Sequence, residues 1–291
     1  MKIIIYLYGK GEKMKDIKVA FVYDFDKTLS TDDMQAFGFI QGLGMEVDEF
    51  WNQCGIFSKK NEVESVLSYM YLMKKYSKEK GKPITREYLK KCGESVQFFN
   101  GVEQWFDRIN EYGKQNGVVV EHYVLSSGLK EIIEGTPIAN KFKQIYACSF
   151  VYENDEPTWP ALSLNYTGKT QFLYRINKGI FDMLDKRVNE EMKHSDRPIP
   201  FSNIIYIGDS ETDIPCMRLL YKYGGTAIGL YQPNTKNEEY LKDLLRRDRI
   251  SFVAKSDYAE NGELDNIAKD LIQKIKYQNL LEQKRMEQKN Q

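Results

Sequence analysis

The sequence has few of the residues that bind soft metals or form disulfides, with four cysteines and two histidines in 291 residues. No two cysteines form a CxxC pair, and neither histidine has a partner at metal-ligand spacing. This argues against a zinc site and against a secreted disulfide framework, so a reducing cytoplasm is the expected location. The six residues are Cys54, Cys92, Cys148, Cys216, His122 and His194.

Net charge and long apolar runs are missing as well. Lys plus Arg and Asp plus Glu both number 42, so the formal net charge is zero. Without a global basic field, neither nucleic acid nor an anionic membrane is an expected partner, and any anion binding must be local. No segment approaches the roughly 20 apolar residues that span a bilayer. The expected partner is a small molecule.

The N-terminal stretch MKIIIYLYGKGEK does not have the features of a signal peptide. Its apolar run is too short, and no small-residue cleavage site follows it. The regular pattern begins just after Met14, so translation from Met14 is an alternative to translation from Met1.

Apolar runs of strand length alternate with helical segments along most of the chain. KVAFVYDF (residues 18–25), VVVEHYVL (118–125) and NIIYIGDS (203–210) are typical of strands buried on both faces. TAIGLYQ and ISFVAKS predict two further short strands, and the segment from 144 to 166 predicts a hairpin around an acidic turn. A helical pattern is predicted from 168 to about 192.

Residues 32 to about 112 show a helical period throughout, with room for about five helices and no strand. The predicted fold is therefore α/β: a doubly wound, mainly parallel, Rossmann-like sheet with an inserted all-helical cap domain. The predicted boundaries are a core of residues 15–31 and 115–275, a cap of residues 32–114, and a polar C-terminal helix or tail of residues 276–291.

Polar residues follow the predicted strands, where ligands bind in open α/β sheets. Three nearby carboxylates would repel one another and raise each other's pKa unless a cation held them, and a hard divalent ion such as Mg²⁺ is the natural partner. The residues expected to converge are Asp24, Asp26, Thr28, Ser126, Ser127, Lys178, Asp209, Glu211 and Asp213.

These groups resemble the four motifs of the haloacid dehalogenase superfamily of phosphohydrolases. DFDKT matches its DxDxT motif, YVLSSG its strand-then-serine motif, Lys178 its lone lysine, and GDSETD its GDxxxD motif. The order of the motifs matches over nearly the whole chain. A helical insertion after the first motif is similar to the phosphoserine-phosphatase-like branch.

The resemblance implies a Mg²⁺-dependent phosphoric monoester hydrolase that works through an aspartyl phosphate on Asp24. Asp26 is expected to protonate the leaving oxygen and then to activate water. The implied metal site contains Asp24, the backbone carbonyl of Asp26, and Asp209. Asp213 is expected to hold a metal-bound water or the lysine, and Glu211 is expected to assist it there.

The resemblance also implies a set of residues that contact the substrate. Ser126 and Lys178 would hold phosphate oxygens, although Ser126 is equally a candidate helix cap. Asp33 lies where relatives place an acid that reads a substrate ammonium group, but either Asp32 or Asp33 is also a candidate N-cap of the first cap helix. The other expected contacts come from Thr28, Ser127 and Gly128.

Two lysines are candidates for the third motif. Lys169, in TGKTQ, and Lys178, in INKGI, both begin helical patterns before GDSETD. Lys178 is favoured because INKGIFDML resembles the Lys-Gly helix start of phosphoserine-phosphatase-like members.

The main functional hypothesis is hydrolysis of a small phosphorylated metabolite by a monomer or homodimer. A phosphotransferase that uses the same intermediate is the first alternative, because water and an acceptor alcohol use the same base. A catalytically silent phosphoester-binding module is the second. Phosphorylated amino acids, amino alcohols, nucleotides and sugar phosphates all remain candidate substrates.

Overall fold

The structure, a computed structural model, describes residues 16–289. The choice between Met1 and Met14 as the start lies outside the described residues, as do residue 15 of the predicted core and the last two residues of the predicted tail. Within the described part of the chain, no helix combines the length and the apolar character needed to cross a membrane.

Seven strands form one sheet in the order β4-β3-β2-β1-β5-β6-β7. The pairs are parallel except for the hairpin β3-β4. The central strand β1 is fully buried from Val19 to Tyr23, as its continuous apolar run predicts. The strands are β1 (Ile17–Tyr23), β2 (Val118–Leu129), β3 (Gln144–Glu153), β4 (Glu156–Leu162), β5 (Ile204–Gly208), β6 (Thr226–Tyr231) and β7 (Phe252–Lys255).

Ten α-helices lie within residues 16–289, and the first four lie in the insertion after β1. The predicted α/β fold with a helical insertion is confirmed. The helices are α1 (Phe39–Leu43), α2 (Val47–Asn61), α3 (Ser65–Glu79), α4 (Arg86–Gly93), α5 (Val102–Gln115), α6 (Lys130–Glu134), α7 (Thr170–Lys178), α8 (Ile214–Lys222), α9 (Lys236–Arg246) and α10 (Glu263–Lys289).

The chain enters and leaves the helical insertion through two adjacent antiparallel segments. Ser30 and Phe98 form an isolated bridge. The backbone N–H of Thr31 donates to the carbonyl oxygen of Gln97 at 2.9 Å, and that of Phe99 donates to Leu29 at 3.0 Å. Both connections therefore lie side by side, directly above the end of β1.

Helix α5 packs on the sheet rather than with the other inserted helices. The indole N–H of Trp105 donates to the hydroxyl of Tyr23 at 2.8 Å. Gly113 lies so close to β2 that an added Cβ would be 2.6 Å from a methyl of Val120. The predicted cap of residues 32–114 includes α5, so we propose a revised cap of residues 31–97. We use "cap" for that segment and "core" for the rest.

The helix predicted from 168 to about 192 is shorter in the structure. It ends at Lys178 because Gly179 adopts the left-handed conformation, with φ 66°, and closes the helix. The segment predicted as a polar helix or tail from residue 276 is helical as far as Lys289 and continues α10, whose last buried residue is Ile275.

Candidate active site

Three acids converge beyond the carboxyl ends of β1 and β5. Asp24 follows β1 directly, and its N–H donates to the carbonyl oxygen of Ile207 in β5 at 2.9 Å. Because β1 and β5 are parallel neighbours, Asp209 lies beside Asp24, and Asp213 lies one turn further on. Carboxylate oxygens of Asp24, Asp209 and Asp213 all lie within 4.8 Å of one another, and all three residues are buried. The sequence prediction that these acids converge agrees with this placement.

Lys169 supplies a positive charge to this group. Its ammonium lies 3.1 Å from Oδ1 of Asp24 and 2.7 Å from Oδ1 of Asp213, and its side chain is fully buried. It also donates to the hydroxyl of Thr212 at 3.4 Å. Burial alone would lower the pKa of Lys169, but the charges of Asp213 and Asp24 raise it above its usual value. The lysine therefore remains protonated.

Lys178, the lysine favoured by the sequence, lies elsewhere. It is the last residue of α7, and its ammonium donates to the carbonyl oxygens of Val188, at 2.8 Å, and of Glu190, at 2.5 Å. The prediction that Lys178 lies beside the acids is therefore wrong, and Lys169 occupies that position. Helix α7 begins at Thr170, so the residue at its beginning is Lys169, and Lys178 lies at the opposite end.

Asp213 is held by donors from the protein on both oxygens. Oδ1 accepts from Lys169 and, at 2.7 Å, from the hydroxyl of Tyr206. Oδ2 accepts from both the N–H and the hydroxyl of Ser210 at 3.1 Å. With both oxygens engaged, Asp213 fits the role of an anchor for Lys169 better than that of a direct metal ligand.

Asp209 is oriented by two polar neighbours. The hydroxyl of Thr28 donates to its Oδ1 at 3.2 Å, and the amide of Asn237 donates to its backbone carbonyl at 2.8 Å. Thr28 was predicted to contact the substrate, but its hydroxyl forms this hydrogen bond with Asp209 instead. Glu211 is exposed, and within residues 16–289 its side chain forms no hydrogen bond or ion pair with these acids.

Burial changes the protonation of the acids. It raises the pKa of Asp24 to about 7, with a further rise from Asp213 that Lys169 opposes. The pKa of Asp209 is also raised, by burial first and then by Asp213 and Asp24. These shifts reflect burial first and then the mutual repulsion of three carboxylates, which the ammonium of Lys169 opposes.

Asp26 has a different environment from Asp24. Its Oδ1 accepts from the backbone N–H of Met34 at 2.7 Å, which ties the end of β1 to the start of the cap. Burial raises the pKa of Asp26 well above its usual value, and the charges of Asp33 and Asp24 raise it further. This shift favours the protonated form of Asp26, which is the form that a general acid requires.

The serine segment, residues 126–129, ends beside Asp26. The hydroxyl of Ser126 is fully buried and accepts from the N–H of Gly128 at 2.9 Å. At Gly128 an added Cβ would lie 2.1 Å from the terminal methyl of Met34 and 2.8 Å from Oδ2 of Asp26. Glycine is required there because the cap and the acid approach the backbone closely. The hydroxyl of Ser127 donates to the amide oxygen of Asn165 at 3.3 Å.

Asp33 is paired with a lysine of the first motif. Its Oδ2 lies 2.9 Å from the ammonium of Lys27, and Asp32 lies 3.5 Å from the same ammonium. The side chain of Asp33 does not cap the following turn, whereas Asp32 accepts from the N–H of Asp33 at 2.8 Å.

A sequence profile of the haloacid dehalogenase-like hydrolases matches residues 21–218, which contain all of the acids described above. The chain belongs to this family. An uncharacterized protein of Borreliella burgdorferi is 26% identical over 276 residues, which cover 85% of this chain and 94% of that protein.

Two solved structures share the fold. A substrate-bound phosphoserine phosphatase superposes with a TM-score of 0.52 and 16% identity, over 87% of this chain and 97% of that one. A haloacid dehalogenase family hydrolase of Salmonella enterica serovar Typhi gives a TM-score of 0.52 and 16% identity, over 81% of this chain and 66% of that one. At this identity the likeness concerns the fold, including its helical cap.

The donor set fits the Mg²⁺ that the resemblance implies. Asp24, Asp209 and Asp213 are three buried carboxylates, and Lys169 compensates for one charge. An uncompensated buried charge is unfavourable, and a hard divalent cation with oxygen ligands would remove the repulsion. Asp24 and Asp209 would hold it, since Asp213 is engaged by other donors.

Sequence reasoning named Lys169, in TGKTQ, as the alternative to Lys178, and it missed other residues of this haloacid dehalogenase-like site. Tyr206 looks like any buried residue of β5, and neither Asn237 nor Asn165 belongs to a motif, so their contacts appear only in three dimensions.

Proposed function

We propose that the protein is a Mg²⁺-dependent phosphatase that hydrolyses a small phosphomonoester through an aspartyl phosphate on Asp24. The observation that carries this proposal is the ammonium of Lys169, fully buried between Asp24 and Asp213, with Asp209 beside it. A nucleophilic carboxylate needs positive charge nearby before it can approach an anionic phosphate, and this arrangement provides it.

In the first step a carboxylate oxygen of Asp24 forms a bond to phosphorus as the bond from phosphorus to the ester oxygen breaks. Asp26, whose protonated form is favoured because burial raises its pKa, gives its proton to the leaving oxygen. Asp26 then takes a proton from a water molecule that attacks the phosphorus. Inorganic phosphate leaves, and the carboxylate of Asp24 is regenerated.

Magnesium would be held by Asp24, Asp209 and the backbone carbonyl of Asp26, where it would supply positive charge to the transferring phosphoryl group. Thr28 and Asn237 hold Asp209 in place for this role.

The phosphate oxygens would be held by Lys169 and by the serine segment. The turn of that segment is fixed by the bond between Ser126 and the N–H of Gly128, so its polar groups are preorganised near Asp26. Ser127 and Gly128 complete the proposed anion site.

We propose a small phosphorylated metabolite as the substrate, and a cytoplasmic monomer or homodimer as the working form. We also propose that Asp33 binds an ammonium group of the substrate. Such a group would compete with Lys27, whose ammonium lies 2.9 Å from Oδ2 of Asp33. A substrate with an ammonium group therefore has to displace this lysine.

The proposal is tested by phosphate release from an aryl phosphate in the presence of Mg²⁺. Asp24→Asn removes the nucleophile at nearly constant volume, and we expect no turnover above background. Asp248→Asn, at an exposed position whose φ of 52° suits asparagine, is the matched control and should retain full activity. Turnover by Asp24→Asn at the wild-type rate would reject the mechanism.

A further inference from the structure

Helix α3 of the cap contacts two segments of the core that contain proposed substrate-binding residues. The hydroxyl of Tyr69 donates to the carbonyl oxygen of Ser127 at 2.8 Å. Glu64, whose side chain caps the start of α3, accepts from the amide of Asn165 at 2.9 Å. Both hydrogen bonds cross from the cap to the core, so both must break when the cap separates from the core.

The side chain of Asn165 uses both ends of its amide. Its Nδ2 donates to Glu64 and, at 3.1 Å, to the hydroxyl of Ser65. Its Oδ1 accepts from the hydroxyl of Ser127 at 3.3 Å and from the N–H of Tyr166 at 3.0 Å. One side chain therefore joins the cap, the serine segment and the start of the next turn.

That turn, Tyr166–Lys169, ends at the buried lysine of the site. Tyr166 has a φ of 42°, a left-handed conformation that a residue with a Cβ rarely adopts and that costs on the order of 1 kcal/mol. The hydrogen bond from its N–H to Asn165 helps to hold it there. The position of Lys169 thus depends on a turn that Asn165 stabilises.

The serine segment is also held by two hydrogen bonds to one of its carbonyl groups. The carbonyl oxygen of Ser127 accepts from Tyr69 and, at 3.3 Å, from the thiol of Cys148 in β3. Tyr69 is 5% exposed and packs edge-on against Trp51 of α2, with ring centroids 5.9 Å apart. The hydroxyl of Tyr69 is therefore held in place by the packing of the cap.

We propose that Tyr69 and Asn165 are positioning residues that couple closure of the cap to the arrangement of the groups that hold phosphate. This inference rests on the proposed phosphatase function. In the closed form α3 fixes Ser127 through Tyr69, and Glu64 fixes Asn165, which supports the turn of Lys169. In an open form both supports are lost, so the phosphoryl-transfer geometry is complete only after the substrate is enclosed.

The first test exchanges donor and acceptor across the cap–core contact. Asn165→Asp places a carboxylate against Glu64 but keeps an oxygen for Ser127 and for the N–H of Tyr166. We expect kcat/KM for an aryl phosphate to fall about tenfold. Adding Glu64→Gln supplies a donor to the new carboxylate and leaves an oxygen to cap α3, so the double variant should recover most of the loss.

The matched control is Asn61→Asp in the cap, because within the described residues the amide of Asn61 forms a hydrogen bond only to Phe57 of its own helix. It should retain wild-type kcat/KM. The thermal midpoints of the single and the double variant are compared as well. Equal midpoints would show that the difference in kcat/KM comes from positioning and not from a general loss of stability. Wild-type kcat/KM in Asn165→Asp, or a loss that Glu64→Gln does not reverse, would overturn the proposal.

The second test uses Tyr69→Phe, which removes one hydroxyl and keeps the ring. We expect kcat to fall several-fold, roughly as for the loss of one neutral hydrogen bond, and amide hydrogen exchange in α3 to become faster. Unchanged kcat together with unchanged exchange would overturn the role of Tyr69.

Failure of the proposed function gives a different result. If the wild-type protein releases no phosphate from any phosphomonoester supplied with Mg²⁺, the phosphatase proposal fails. Hydrogen exchange in α3 then still decides the coupling between cap and core: faster exchange in Asn165→Asp supports it, and unchanged exchange rejects it.

Discussion

Lys169 is placed between two acids that have different roles. Asp213 accepts its shortest hydrogen bond, at 2.7 Å, and is itself held by Tyr206 and Ser210. Asp24 lies slightly further away, at 3.1 Å. Asp213 therefore anchors the ammonium, and the ammonium lies beside the oxygen that we propose attacks phosphorus.

This placement predicts opposite results for the two lysines of the segment. Lys169→Met removes a charge from the transition state and should lower kcat/KM by roughly two to three orders of magnitude. Lys178→Met, at the far end of α7, should leave kcat/KM near the wild-type value. Steady-state kinetics on an aryl phosphate, with circular dichroism to confirm folding, checks both. A larger loss in the Lys178 variant would contradict the assignment.

His122 is buried in β2, where its Nδ1 lies 2.9 Å from the hydroxyl of Tyr23 and its Nε2 lies 3.0 Å from the amide oxygen of Asn110. Burial lowers its pKa to about 3. The unfolded chain, with an ordinary histidine pKa of about 6.5, binds a proton that the folded chain does not. The contribution of His122 to stability is therefore full above pH 6.5 and decreases as the pH falls toward 3.

We expect His122→Gln to weaken the acid sensitivity of the fold. The decrease in free energy of unfolding between pH 6.5 and pH 4.5 should be smaller than in the wild type, by up to about 1.4 kcal/mol per pH unit. Urea denaturation at the two pH values measures it. The same pH-dependence in both proteins would show that His122 is not buried as a neutral group.

The acids could be predicted from the sequence because each lies at a short, fixed distance after a strand. Once the strands are parallel neighbours, Asp24 and Asp209 must end at one edge of the sheet. Lys169 could not be predicted in the same way, because it follows a 3-10 turn and not a strand. Two lysines nine positions apart fit the helical pattern equally well, and only the actual start of α7 separates them.

At the scale of elements, the cap and the core are joined most closely between α4 and α6. An added Cβ at Gly135, which ends α6, would lie 1.8 Å from the carbonyl oxygen of Lys90 in α4. One at Gly93 would lie 2.1 Å from the carbonyl oxygen of Ile132. The two backbones touch, so this contact tolerates no side chain.

We therefore expect Gly135→Ala to destabilise the protein by about 1–3 kcal/mol, because α4 and α6 must separate. Gly55→Ala is the matched control. It lies inside α2 with no atom within 4 Å of an added Cβ, so it should stabilise the protein by about 0.5–1 kcal/mol. Thermal unfolding of the two variants should shift in opposite directions. A stable Gly135→Ala protein would mean that the two helices are not in contact.

The location of α5 shows what periodicity predicts and what it does not. The spacing of Val102, Trp105, Phe106 and Ile109 indicates a helix with one apolar face, and the structure contains that helix. The same spacing does not say which surface covers the face. The apolar face of α5 packs on the sheet, where the indole N–H of Trp105 donates to the hydroxyl of Tyr23. These two residues are far apart in the sequence.

At the scale of the whole molecule, the sheet concentrates negative charge at one edge although the chain has no net charge. The pKa of Asp24, raised by burial to about 7, lies above that of an unfolded aspartate. Between about pH 4 and pH 7 Asp24 therefore binds more protons in the metal-free folded chain than in the unfolded chain, and the contribution of Asp24 to stability decreases as the pH rises through this window.

A bound divalent cation should offset this loss where the acids are ionised. We expect the rise in melting temperature caused by Mg²⁺ to be larger at pH 8 than at pH 5.5. Asp209→Asn should reduce the effect, and the exposed substitution Asp248→Asn should not. Differential scanning calorimetry with Mg²⁺ and with a chelator measures it. An equal rise at both pH values, or none at pH 8, would contradict a metal site at these acids.

In the proposed mechanism Asp24 carries the phosphoryl group during turnover. The most direct measurement is acid quenching of the enzyme during hydrolysis of a radiolabelled phosphomonoester, followed by peptide mapping. We expect label on the peptide that contains Asp24, released by hydroxylamine as is usual for an acyl phosphate, and no label in Asp24→Asn. Turnover without labelled protein, or label on Ser126, would contradict it.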